Sequence, residues 1–278
     1  MRCLRVTEEL TQGSIIYGTR SNKYPGVRCY GIIISARCDI ANCKIPKYFY
    51  LTAVEIREWL TTNIGFKTIY TEKVKTLEGR LKQFAKNEGL DWTVLSSRSE
   101  DEFMRIITDS SDMKSKEIKE WTQTYTEFMR FTADMMSSED KTEEIRKDKK
   151  QVLDYLARIS DGRVIHYCFI PQAAYETTNN KKDGMIVDLQ EIEILPMEDA
   201  SKIKLDMLDY ACPKLTKEER ECYNRRYFLE TKDDFVCSEG VIQSPWIEYL
   251  MQQFSHAFIR IGVDLATKND FTELIKKI

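Results

Sequence analysis

The hydrophobic repeat of this chain changes twice. From Ile118 through Trp121, Tyr125, Phe128, Thr132 and Met135, large residues recur at 3-4-3-4-3 spacing, the period of one helix face. Val74, Leu77, Leu81 and Phe84 keep the same period before it, and Ile145, Val152, Leu156 and Ile159 carry it on. Gly89 is a stop for the earlier stripe. Thr52-Ala53-Val54-Glu55 reads as a capping box opening a helix to about Thr62, and Ser99 with Glu102 reads as a second one. Residues 52–160 are therefore a helical block, an antiparallel hairpin of helices or a coiled-coil arm. Its aromatic stripe is core material by period.

On either side the pattern is that of strands. Ser14-Ile15-Ile16-Tyr17 follows a Gln-Gly turn, and Tyr24-Pro25-Gly26 is another turn. Tyr30-Gly31-Ile32-Ile33-Ile34 is a β-branched run suited to burial on both faces, and Lys47 to Leu51 is aromatic-rich. Beyond Asp161-Gly162, Arg163–Ile170 and Met185–Leu195 read as strands joined through a long polar turn, Thr177–Gly184. Thr216 and Glu219 open a short helix, and Tyr227–Leu229 and Asp234–Ile242 are strand candidates. Ser244-Pro245 starts a final helix whose apolar face is Ile247, Leu250, Met251, Phe254, Phe258 and Ile261, with Gly262 as its stop. Segregated strands and helices make the fold α+β. The expected architecture is an SH3-like or small open β-barrel or sheet from 1–51 and 161–243. A helical insertion, 52–160, interrupts it, and the C-terminal helix, 244–278, packs on it.

Composition narrows the function classes. Lys plus Arg is 42 and Asp plus Glu is 45, so no global charge favours nucleic acid. The longest stretch without an acidic or basic residue, Val164–Tyr175, is too short to span a bilayer, and the N-terminus has no apolar signal core. A cytoplasmic protein with no membrane partner is the expectation. The eight cysteines contain no Cys-x-x-Cys pair, and in a reducing compartment they read as free thiols. Glycine-rich phosphate loops, His-Glu-x-x-His and Gly-x-Ser-x-Gly do not occur. No cofactor is implied.

The foremost candidate site is Ser35-Ala36-Arg37-Cys38-Asp39-Ile40-Ala41-Asn42, directly after the buried apolar strand. Arg37 would lower the Cys38 thiol pKa and Asp39 would raise it. A thiol nucleophile also needs a base, and the chain has only His166 and His256. The plainer reading is an Asp that bonds turn amides and a Cys that packs inward. His256 and Arg260 share a helix face, and Arg260 could pair with Asp39 if that helix closes over the turn. Cys38 and Cys43 with Cys212, Cys222 or a His could form a zinc site, although no second tight pair exists. Along Asp183–Glu193, strict alternation puts Glu191 and Glu193 on one face and Asp188 on the other, with no Lys among them. A metal-dependent nuclease centre would need those carboxylates together.

Three stretches carry a resemblance. They are Gly31-Ile32-Ile33-Ile34-Ser35-x-x-Cys38-Asp39-Ile40 with Asn42; Gly184-Met185-Ile186-Val187-Asp188-Leu189 with Pro196; and Ser244-Pro245-Trp246-x-x-Tyr249-Leu250-x-Gln252-x-Phe254-x-x-x-Phe258-x-Arg260-x-Gly262. Together they resemble segments of uncharacterised bacterial proteins associated with anti-phage and other conflict genes. The resemblance spans the β-rich part and the final helix and leaves out 52–160. It implies a context and no reaction; with the absent catalytic motifs and a long helical arm suited to binding, the expectation is a non-enzymatic interaction or sensor subunit whose partner is another protein. Separately, Gln12-Gly13-Ser14-Ile15-Ile16 followed by Gly31-Ile32-Ile33-Ile34-Ser35 is similar to the opening of the SH3-like barrels of toxin endoribonucleases. Here Ser14 stands where those barrels carry Asp, and the Arg-Pro before their second strand is missing. That likeness implies the alternative, a nucleic-acid-acting effector with its site around Arg37, Cys38 and Asp39.

Overall fold

The computed structural model describes residues 9–42, 44–61, 64–110, 115–132, 143, 145–177, 183–204, 208 and 217–259. The chain divides into two compact units, Met1–Ile56 with Arg158–Ile278, and Arg57–Ala157. The strands are β1 (Ser14–Thr19), β2 (Cys29–Ile33), β3 (Lys47–Glu55), β4 (Tyr167–Ile170), β5 (Tyr175–Thr177), β6 (Met185–Pro196) and β7 (Cys237–Ile242). The helices are α1 (Arg37–Ala41), α2 (Ile56–Thr61), α3 (Ile64–Asn87), α4 (Trp92–Leu95), α5 (Glu100–Ser110), α6 (Ser115–Thr132), α7 (Lys149–Ser160), α8 (Met197–Lys204), α9 (Lys217–Arg226) and α10 (Trp246–Ile259).

All the strands belong to the first unit and form one sheet in the order β4-β6-β3-β2-β1-β7-β5. Every pairing is antiparallel. The sheet curls, but its outer strands β4 and β5 do not pair with each other, so it is an open half-barrel. The fold is thus α+β, an open β layer interrupted by helices.

Each face of the sheet has its own core. On one, Ile15, Ile32, Leu51, Ala53, Cys168 and Val187 pack with Ile247 and Leu250 of α10. On the other, Ile16, Ile33, Tyr48, Tyr50 and Leu195 pack with Ala200 and Ile203 of α8 and with Tyr227 and Val236. Consecutive residues Ile32 and Ile33 are both fully buried, which is why that run is β-branched throughout. Each such side chain stabilises the fold by about 1.5–3 kcal/mol. Gly31 is needed here because a Cβ would lie 2.7 Å from the Tyr50 ring.

Several sequence expectations are corrected. Thr52–Glu55 does not open a helix: it extends β3, with Ala53 opposite Val187 and Val54 opposite Ile186. Burial of Ala53 and Val54 outweighs the local capping signal. Tyr227 makes only an isolated bridge to Thr19. The last helix begins at Trp246, one residue later than expected, with the Tyr249 amide bonded to the Pro245 carbonyl. Its Gly262 stop and the side chains of Phe258 and Ile261 lie outside the described residues.

The second unit is a helical bundle built on the long helices α3 and α6, not one extended arm. Helix α6 packs on both α3 and α5. Phe103 and Tyr125 stack at 3.8 Å, and Phe84 meets Trp121 at 4.6 Å. The aromatic stripe is core, as its period implies. The second capping box forms: the Ser99 amide donates to Glu102 and the Glu102 amide to Ser99 Oγ. Met135 lies outside the described residues.

Candidate interaction surface

The site begins with an irregularity in β6. Leu51 pairs with Ile192 and Ala53 with Val187, so Thr52 alone stands opposite 188–191. This wide bulge shifts the alternation of β6. Before it, Met185, Val187 and Leu189 face the α10 core. After it, Ile192 and Ile194 face that way, opposite Leu51 and Phe49. Asp188, opposite Tyr167, and Glu193, opposite Tyr50, therefore point to the other face together. Strict alternation had placed Asp188 away from Glu191 and Glu193; the bulge overturns that.

A lysine also joins them, from the β1–β2 loop. Lys23 Nζ lies 2.5 Å from Asp188, and the Tyr24 hydroxyl donates to the same carboxylate at 2.7 Å. Ser21 Oγ donates to Glu191 at 2.7 Å. Asp188 and Tyr24 are each 1% exposed. Burial would lower the Lys23 pKa, but the bond and charge of Asp188 outweigh it and hold it above the usual value. Burial raises the Glu193 carboxyl, the neighbouring Glu191 charge raises it further, and Arg226 opposes. Among the described residues no three His, Cys, Asp or Glu side chains are placed to hold a metal ion. The cluster pins a loop to the sheet, and its carboxylates do not converge on one point.

The same bulge opens the sheet edge. Strand β4 pairs only with Met185–Asp188, plus one bond from the Leu189 amide to the His166 carbonyl. From Ile192 to Pro196, β6 pairs with β3 alone. The direction of its free groups follows from β3. The Phe49 carbonyl accepts from the Ile34 amide at 2.9 Å, and the Phe49 amide donates to Ser35 Oγ at 2.8 Å. Phe49 thus directs its backbone away from β6, and Tyr48 and Tyr50 direct theirs toward it. By the same alternation, Ile192 and Ile194 aim their amides and carbonyls outward, at no backbone partner among the described residues. Their side chains are each 41% exposed, and Phe49 is 39% exposed with Lys47 Nζ 5.4 Å from its ring centroid. An apolar strip beside an unpaired edge is what soluble proteins ordinarily avoid.

No family model matches the chain, nor does any curated protein or solved structure.

The predicted turn is a single helical turn, α1, on the surface. Arg37, Cys38 and Asn42 are exposed and Asp39 is half-buried. Ser35 is buried and serves the ladder through Phe49. Cys38 Sγ lies 3.7 Å from Asp39 Oδ1, and Asn42 Nδ2 donates to the Cys38 carbonyl at 2.6 Å. No hydrogen bond joins Cys38 to His166 or His256, both of which are exposed. The structure assembles no thiol–imidazole pair there. Asp39 makes no ion pair among the described residues; Arg260, Cys43 and Cys212 lie outside them.

Cys29, Cys168 and Cys237 are buried free thiols, and burial pushes Cys168 up to about 12. A shallow groove of about 680 Å³ runs along Pro245, Trp246, Tyr249 and Gln252 beside Ser160 and Asp161. It is apolar and open, and the Tyr249 hydroxyl is already bonded to the Ser160 carbonyl. Among the described residues no helix is long and apolar enough to cross a membrane.

Proposed function

We propose that this chain is a non-enzymatic interaction or sensor subunit of a bacterial anti-phage or other conflict system. The observation that carries the reading is the strip of Phe49, Ile192 and Ile194 beside the unpaired half of β6. The conflict-system context rests on the resemblance of the three segments given above.

The test is co-expression with the product of the neighbouring gene. The wild-type chain is expected to co-purify with it, and Ile192→Asp with Ile194→Asp is expected to abolish this with the circular dichroism spectrum unchanged. Retention of the partner by that variant would refute the surface. Growth arrest with cleaved RNA on expressing the chain alone would make it an effector instead.

A further inference from the structure

We infer that the unpaired half of β6 is completed by an extended segment of a partner protein, alternating apolar with basic residues. This rests on the interaction reading and names the partner's chemistry. Three observations fix the occupant. Outward amides and carbonyls at Ile192 and Ile194 require an extended backbone, since only a strand meets them in register. Ile192–Pro196 offers roughly 16 Å of edge, the length of a short ordinary strand. The two faces then dictate alternate side chains. On one, Ile192, Ile194 and Phe49 wait half-covered for apolar neighbours. On the other, Glu191 and Glu193 share a face, where burial and then the Glu191 charge disfavour ionised Glu193 and Arg226 opposes. A lysine or arginine across from them adds to the Arg226 charge that already offsets this pair, at the distance where cross-strand pairs interact.

The same pair of glutamates disfavours a second copy as occupant. A two-fold pairing of β6 with β6 that keeps each face together sets Glu193 against Glu193 or Glu191 against Glu193, or, with Ile194 against Ile194, puts the two Glu193 side chains on a diagonal. In each register carboxylates of both copies gather on one face. A basic partner segment has no such conflict.

The experiment uses the full chain and fluorescein-labelled seven-residue peptides, read by anisotropy at near-physiological salt. The first peptide alternates lysine with isoleucine or valine; the second has the same composition with the lysines in one block; the third alternates glutamate for lysine. The alternating basic peptide is expected to bind at least tenfold more tightly than either control. Ile194→Pro removes an outward amide and leaves the β3 ladder intact, since proline is tolerated where the amide faces solvent. It is expected to lower that affinity at least tenfold. Glu191→Gln with Glu193→Gln is expected to erase the preference for lysine over glutamate. Equal binding of block and alternating peptides, or unchanged binding by Ile194→Pro, overturns strand addition. If Ile194→Pro still co-purifies with the neighbouring gene product while Ile192→Asp with Ile194→Asp does not, strand addition fails and the interaction reading stands.

Discussion

Replacing Asp188 by Ala should loosen β6 more than any surface change. The carboxylate is buried and accepts from the Tyr24 hydroxyl, Lys23 and the Gln190 amide. Losing a charged acceptor costs about 1.5–3 kcal/mol for the tyrosine bond, and the stranded buried hydroxyl adds about 1–3 kcal/mol in an overlapping account. Lys23, about one-third exposed, turns to water and adds less than about 1 kcal/mol. A total of about 3–4 kcal/mol follows. Tyr24→Phe leaves Asp188 its other partners and should cost about 1–2 kcal/mol. In the double variant no hydroxyl is stranded, so its cost should fall short of the sum by about 1–2 kcal/mol. Tryptophan fluorescence suits this badly, because three of the four tryptophans, Trp59, Trp92 and Trp121, lie in the helical unit. Amide hydrogen exchange of peptides covering 185–196 reports the sheet directly. Exchange there should quicken by about a hundredfold to a thousandfold in Asp188→Ala. A change under tenfold, or strict additivity with Tyr24→Phe, would refute the idea that this carboxylate pins the loop to the sheet.

Other outcomes follow from the same structure. Gly31→Ala drives a methyl into the Tyr50 ring and should destabilise by about 1–3 kcal/mol in urea unfolding followed by far-ultraviolet circular dichroism. Glu193 has a folded pKa above its unfolded one, so its contribution is full below the ordinary carboxylate range and is lost as pH rises through the raised value. Glu193→Gln should therefore flatten the fall in stability across that window, and a pH series of melting temperatures reads it. Native protein should leave Cys168 unreactive to a thiol reagent at neutral pH while exposed Cys38 reacts, which mass spectrometry of the labelled peptides resolves. Asp39→Ala should change unfolding stability by less than about 0.5 kcal/mol, since among the described residues that side chain bonds only the Cys38 thiol.

Much of the fold was legible because period reports burial. The Ile32-Ile33 run, the 3-4 stripe through Tyr125 and Phe128, and the apolar face of α10 each bury as their spacing implies. Thr52–Glu55 was misread because its capping signal is local, and its burial depends on β6, far along the chain. The site was less legible. Nothing near Asp188 announces Lys23 and Tyr24, which reach it through a loop folded over the sheet. One signal was present. Val187-Asp188-Leu189 alternates with its apolar residues at odd positions and Ile192-Glu193-Ile194 with them at even ones, and that change of phase marks the bulge. Read so, it places Asp188 with Glu193 and turns Ile194 toward Phe49. Arg37, Cys38 and Asp39 attracted attention through composition, which says nothing of whether a base stands opposite.

The order of strands in the sheet also sets a timetable for synthesis. Strands β1, β2 and β3 are neighbours in sequence and pair as soon as they are made. Strand β6 must slot between β3 and β4, although it follows both in the chain and the whole helical unit intervenes. At ribosomal speeds of about 5–20 residues per second, the outer side of β3, with its Tyr48-Phe49-Tyr50-Leu51 run, stays bare on the order of ten seconds. Yield in a host cell should then depend on translation rate and chaperone supply more than on the stability of the finished molecule.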